Sequence, residues 1–359
     1  MKLQVAKPKL SGIEVARGIA ATMVVFYHAA RHLKTDYGVM PWAGIAQFGH
    51  AGVDFFFVLS GFIIFFSHQK DVGHPLRLFA YFERRFTRIY PLFWVSLIIG
   101  VALTLLSSTQ KLPSFFTLLL HSTLLPFGGD VGVSWTLQHE ILFYFIFAFS
   151  MINRQLGIAV FMLWFGFIIG AWMTGYVPTD SSVLIRLVST FNLEFFFGIL
   201  AAYIVKNCKV IKTHLILASG IASFCSFALS ENIGAFNGYT SPAQLAYGIS
   251  SMLVVIGVGS ANLNGSLVAP KFLTEIGTAS YSIYLLHLPC IGVIYKVLAV
   301  TGTLAHIPLG LLYALLTTSA IATCMVFSRL VEYPLMNLVR KIISRKLLYL
   351  KGSAHSVAR

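Results

Sequence analysis

The chain has 359 residues, 57% of them hydrophobic and only 11% charged. A soluble domain carries about 25% charged residues, so this composition excludes one and predicts a polytopic helical membrane protein. The net charge of +14 would suggest nucleic-acid binding in a soluble protein, but in a membrane protein basic residues hold loops on the cytoplasmic side, so no nucleic-acid partner is expected.

Apolar runs of spanning length lie at 13–31, 47–67, 89–107, 135–152, 156–174, 188–206, 214–230, 243–260, 273–298 and 307–330. The apolar stretch 113–126 is too short to span and reads as a re-entrant or interfacial piece. No alternating pattern supports a lipid-facing barrel. With the N-terminus inside, the cytoplasmic segments collect Lys2, Lys7, Lys9, Lys70, Arg77, Arg84, Arg85, Arg88 and the basic run from Arg340 to Arg359. The opposite side keeps Arg31, Lys34, Lys111 and Arg186. The expected fold is therefore an all-α transmembrane bundle of about ten spans with both termini cytoplasmic. Short tails cover about 1–11 and 336–359. Cys208, Cys225, Cys290 and Cys324 are scattered without a C-x-x-C, so neither a metal site nor a disulfide is expected. The first apolar run carries Glu14 and Arg17 and has no small-residue cleavage site, which argues against a cleavable signal.

The first span reads EVARGIAATMVVFYHAARH. Arg17 and His28 are eleven residues apart, close to three turns, so they share a helix face about 16 Å apart along the axis. Glu14 lies near the same face and can pair with Arg17 at i,i+3. In the second span, His50 and Asp54 are i,i+4 neighbours able to hydrogen-bond, and Gly52 and Gly61 permit close helix packing. The fourth span, SWTLQHEILFYF, contributes Glu140. His28, Asp54 and Glu140 fall at one estimated depth, and a histidine with a carboxylate partner makes a general-base pair. Arg84, Arg85 and Arg88 cluster at the cytoplasmic mouth of the third span, with Arg84 and Arg88 on one face. Such a cluster either sets topology, contacts anionic lipid headgroups or grips an anionic ligand. Glu194 awaits a partner, His287 reads as a core histidine or a substrate contact, and Arg329 and Glu332 form an i,i+3 structural pair.

Six blocks in order resemble the acyltransferase-3 family, integral-membrane acyltransferases that O-acetylate bacterial surface sugars. They are Glu14, Arg17 and His28 in an E-x-x-R, R-x10-H pattern; Gly52 to Gly61 with Asp54; Arg85, Arg88 and Pro91; Trp135, Thr136, Glu140 and Tyr144; Ser280, Tyr281, Tyr284 and His287; and Glu332 with Pro334. The opening block looks most like the exopolysaccharide-modifying branch. Gln138 and His139 stand at positions that are commonly small or apolar in relatives.

The resemblance implies a catalytic role for His28 and acyl-CoA contacts by Arg85 and Arg88; unlike other relatives, the chain is expected to be a single domain over 1–359 with no soluble esterase-like domain. The expected activity moves an acetyl group from cytoplasmic acetyl-CoA to a hydroxyl of a cell-surface or exported saccharide or glycolipid. The expected catalytic set is His28, Asp54 and Glu140, with Arg17, Arg84, Arg85 and Arg88 holding the donor. Glu14, His50, Trp135, Ser282 and His287 support the substrate or the structure. No metal or prosthetic group is expected. Membrane lipids, a lipid-linked glycan acceptor and polysaccharide-assembly proteins are the expected partners, at the bacterial inner membrane. The alternatives are a proton-coupled transporter of a lipid-linked saccharide and a membrane scaffold of a polysaccharide assembly complex.

Overall fold

Ten long helices follow the ten apolar runs. They are α1 (Ser11–Tyr37), α2 (Gly52–His68), α3 (Leu78–Leu105), α4 (Ser134–Ile152), α5 (Arg154–Thr174), α6 (Phe191–Asn207), α7 (Thr213–Asn232), α8 (Ser241–Leu263), α9 (Ser280–Val300) and α10 (Leu309–Phe327). The computed structural model describes residues 10–106, 111–127, 132–176, 178 and 182–344. Of the expected tails 1–11 and 336–359, residues 1–9, with Lys2, Lys7 and Lys9, and 345–359 lie outside the described residues, whereas 336–344 continue as helix. Among the described residues there is no strand, so the fold class is all-α. Among the described residues, nine helices are long and apolar enough to cross a membrane. The tenth, α6, has 17 residues, about 25 Å of helix against a hydrocarbon core of about 30 Å. The stretch 113–126 contains only the eight-residue helix Phe115–Ser122. It is tied to α3 by Tyr90 and Trp94, which donate to the Thr123 and Ser122 carbonyls at 2.9 Å.

One boundary differs from the sequence reading. The third span was expected to begin at 89, after its charges, yet α3 begins at Leu78 and carries Glu83, Arg84, Arg85 and Arg88 as helix. Tertiary partners for those arginines allow the helix to extend. Elsewhere local chemistry sets the ends. Asn153 alone separates α4 from α5, and its side chain accepts from the Gln155 and Leu156 amides at 2.8 and 3.1 Å. That is an N-cap contact.

α1 runs through the middle of the bundle and packs on α2, α8, α9, α10 and the short helix Lys271–Thr278. α5 and α7 lie outermost, with exposed apolar residues such as Ile158, Met162 and Leu229. A close crossing joins α2 and α6. A Cβ on Gly61 would sit 2.2 Å from the Phe195 carbonyl oxygen, and one on Gly198 would sit 2.1 Å from the Val58 carbonyl oxygen. Gly52 likewise meets the Ala20 carbonyl. The helices approach this closely because no side chain stands between them. The prediction is that Gly61→Val or Gly198→Val lowers stability by roughly 1–3 kcal/mol, read as a lower melting temperature in detergent, whereas Gly166→Val, where a Cβ meets nothing within 4 Å, leaves it unchanged.

Candidate functional site

Charged side chains inside a helical bundle persist where they are paired or where they face a cavity. At the end of the bundle where α1 begins, the near end, Arg17, Arg85 and Arg88 line one cavity of about 130 Å³. Its other walls include Glu140, Tyr144 and Tyr284. Arg88 Nη1 donates to Glu332 Oε1 at 3.1 Å, and its guanidinium lies 5.3 Å from the Tyr281 ring centroid. The second Glu332 oxygen accepts from the hydroxyls of Ser282 and Ser328, each at 2.7 Å. Ser282 thus acts on Glu332, in a supporting place. Glu140 accepts from Ser60 at 3.1 Å and from Tyr144 at 2.5 Å. The charges around Arg17 are Arg88, Glu140, Glu332 and Glu14. Three guanidinium groups and one carboxylate, Glu140, line the cavity itself, and guanidinium forks suit phosphate or carboxylate.

Arg85 is held from behind. Its Nη2 donates to His68 Nε2 at 3.0 Å, and His68 Nδ1–H donates to Asp71 at 2.8 Å. The guanidinium lies 5.8 and 5.5 Å from the Tyr81 and Tyr144 ring centroids. Its Nε is buried without a hydrogen-bond partner among the described residues. The motif reading missed His68, Asp71 and Ser60. His68 offered a signal as an ionisable residue just past the end of an apolar run, and Ser60 stood within the Gly52–Gly61 block without being singled out.

Two expected pairings are corrected. Arg84 does not line the cavity: it is half exposed and stands 3.9 Å from Asp71, and of the cluster only Arg85 and Arg88, at i,i+3, are on its wall. Arg329 does not pair with Glu332: it donates to Glu275 at 2.9 Å. The reason is local. Residues Ser328–Glu332 form a π-helical turn, which widens the helix and breaks i,i+3 alignment. Glu332 therefore turns inward to Arg88.

The expected His28, Asp54 and Glu140 set is not assembled. Glu140 belongs to the arginine cavity. Asp54, 2% exposed, is instead a close electrostatic neighbour of the fully buried Glu194 of α6. The α2–α6 crossing brings these two carboxyls together, one to two turns from Gly61 and Gly198. His28 instead lies beside His287, ring centroids 5.1 Å apart. His287 Nδ1–H donates to the Ile283 and Tyr284 carbonyls at 3.0 and 2.8 Å. That fixes the tautomer and leaves a lone pair on Nε2, which is buried with no partner among the described residues. Tyr284, on the cavity wall, is one turn before His287, with the rings 6.2 Å apart. A chain of rings thus links the arginine cavity to His28.

Three further sequence expectations find their places. His50 was expected to bond Asp54 at i,i+4, but residues Gln47–Ala51 form a 3₁₀ turn with a different angular step. His50 Nε2 bonds Glu231 at 2.9 Å. His139 bonds Asn192 at 2.9 Å and Gln138 accepts from Arg186 at 2.9 Å, so both tie α4 to the entry of α6. Trp135 packs on Phe57, His139 and Phe191 with centroids 5.2–6.2 Å away, a structural position. Among the described residues no group of three or more histidine, cysteine, aspartate or glutamate side chains gathers as a metal set.

A family model described as an acyltransferase domain matches residues 10–329. The chain is similar to the exopolysaccharide production protein ExoZ of Rhizobium meliloti (strain 1021), with 31% identity over 69% of this chain and 78% of that protein. It is 27% identical to the putative acetyltransferase ORF330 of Acidianus two-tailed virus, over 76% of this chain and 80% of that one. It is 26% identical to the peptidoglycan O-acetyltransferase OatA of Listeria monocytogenes, over 82% of this chain and 51% of that longer protein. No solved structure matches.

The near-end geometry makes an energetic prediction. Arg88 and Glu332 are 25% and 3% exposed, whereas Arg84 and Asp71 are 50% and 22% exposed. A double-mutant cycle on Arg88 and Glu332 should give a coupling of about 1–3 kcal/mol in detergent unfolding. The same cycle on Arg84 and Asp71 should give about 0–1 kcal/mol.

Proposed function

The chain belongs to the acyltransferase family whose domain covers residues 10–329, and from that membership we propose that it O-acylates a hydroxyl of a cell-surface or exported saccharide or glycolipid at a bacterial inner membrane. The acyl donor in this reading is acetyl-CoA, entering from the cytoplasm at the near end, with both termini on that side. The observation that carries the reading is the convergence of Arg17, Arg85 and Arg88 on one cavity whose wall leads through Tyr284 and His287 to His28. The names of the Rhizobium and Listeria relatives, one for exopolysaccharide production and one for peptidoglycan O-acetylation, support a saccharide acceptor.

The cavity is too small for a whole CoA molecule. The donor phosphates sit at its mouth, where guanidinium forks bind them bidentately, and exposed Arg84 adds to the attraction. The pantetheine arm then extends inward along α1, over a distance comparable to the ~16 Å between Arg17 and His28. His28 takes the proton of the acceptor hydroxyl as that oxygen bonds to the thioester carbonyl carbon. The carbon–sulfur bond breaks, and the imidazolium returns the proton to the departing thiolate. The products are an acetyl ester and CoA thiol. His287 is a positioning residue in this scheme: its unpartnered Nε2 lone pair lies beside the His28 ring and would take the His28 N–H during transfer, leaving the other His28 nitrogen as the base. A proton-coupled transporter is the second reading, and the buried Asp54–Glu194 pair favours it. Saccharide-dependent release of CoA thiol by the purified protein separates the two.

His28→Ala should insert normally and keep CoA affinity, yet lose transfer by about 10²–10⁴-fold, measured as thiol release; transfer at the wild-type rate would overturn the mechanism. Arg85→Ala with Arg88→Ala should weaken CoA binding by roughly 10–100-fold in calorimetry, through the loss of charge-assisted hydrogen bonds. Unchanged affinity would reassign these arginines to topology or lipid contact.

A further inference from the structure

The far end of the bundle, opposite the arginine cavity, holds a second cluster that the scheme above does not use. Glu231, at the end of α7, receives His50 Nε2–H at 2.9 Å and the Tyr247 hydroxyl at 2.7 Å. It is 4% exposed and His50 is 11% exposed. The backbone closes over this carboxylate: a Cβ on Gly238 would lie 2.3 Å from Glu231 Oε2. The imidazole is boxed by tyrosines. Tyr239 stacks on it with centroids 4.4 Å apart and planes 24° apart, while Tyr27 and Tyr247 meet it edge-on at 5.7 and 6.0 Å. The Tyr27 and Tyr239 hydroxyls are bonded to each other, and Arg31 donates to Tyr27 at 3.1 Å.

Three features of this cluster fit a ligand rather than packing alone. In the neutral tautomer that donates Nε2–H to Glu231, His50 has its lone pair on Nδ1. Tyr239 is 50% exposed, so an aromatic surface backed by the imidazole remains open at the membrane face. Finally, Tyr27 touches both histidines: its ring lies 5.1 Å from that of His28 and 5.7 Å from that of His50. The cluster is thus one aromatic ring away from the histidine that the proposed reaction uses.

We infer that His50, Glu231, Tyr239 and Tyr27 form the acceptor subsite, where a pyranose ring packs across the exposed edge of Tyr239 and donates a hydroxyl to His50 Nδ1, one aromatic ring away from His28. This assignment rests on the acyl-transfer reading. The chemistry matches a sugar because a pyranose offers an apolar C–H face to an aromatic ring and a hydroxyl donor at its edge. Glu231 makes the imidazole a stronger acceptor and keeps its tautomer. Glu231 and Tyr247 are positioning residues; His50 and Tyr239 touch the acceptor.

The experiment uses the full-length protein in nanodiscs, acetyl-CoA, and polysaccharide isolated from a strain lacking the gene. Tyr239→Ala and His50→Gln should each raise the KM for that polysaccharide about tenfold or more. The KM for acetyl-CoA and the melting temperature should stay within about twofold and a few degrees, respectively. Tyr239→Phe, which keeps the ring, should restore the acceptor KM to near wild type. An acceptor KM unmoved by both Tyr239→Ala and His50→Gln overturns the subsite. So does a parallel rise of both KM values with a fall in melting temperature, which would make the cluster a structural tie. A wild-type protein that releases no thiol with any saccharide would instead overturn the acyl-transfer reading itself, and the subsite with it.

Discussion

A guanidinium inside a membrane bundle has to be matched by charge, by hydrogen bonds or by a polar ligand, because the penalty for leaving it bare is several kcal/mol. The near end is arranged around that requirement. Arg88 calls for Glu332, and Glu332 in turn needs Ser282 and Ser328 to occupy its second oxygen. Satisfying one arginine on α3 therefore draws in α9 and the turn after α10. Arg85 draws in His68 and Asp71 at the end of α2. These links also explain why α3 can start eleven residues before its apolar run and still be stable as helix.

The parts of the molecule set by one-dimensional pattern were legible in the sequence. Apolar run length gives the helices, and glycine spacing marks where α2 can be approached closely. The Arg17-to-His28 interval places one group at the cavity and the other three turns further on. Lateral partnering was not legible. Depth along a helix follows from counting residues, but the direction a side chain faces depends on which helices pack alongside. His28, Asp54 and Glu140 shared an estimated depth and still went to three different partners. His50 and Glu231 are separated by 181 positions, so no local spacing could pair them. The 3₁₀ turn at 47–51 and the π turn at 328–332 also broke i,i+4 and i,i+3 expectations, because both change the angular step that such counting assumes.

α1 is the common wall of both ends. It supplies Arg17 to the arginine cavity, His28 to the histidine pair and Tyr27 to the far cluster, all from one uninterrupted helix. A single rigid helix fixes the spacing between these groups, at 1.5 Å per residue. It is also clamped along its length: Gly277 abuts the Glu14 carbonyl, Gly52 the Ala20 carbonyl and Gly49 the Met23 carbonyl. Those contacts leave little freedom for α1 to slide.

The π turn at Ser328–Glu332 acts as a spacer in the chain. It holds one more residue than an α turn would and absorbs that residue locally, so the helix beyond it keeps the azimuth a regular α-helix would give. Removing one exposed residue of the five, such as Leu330, would let the segment relax to regular α-helix and still leave Glu332 facing Arg88. The same loss within α10 itself would rotate everything beyond it by about 100°.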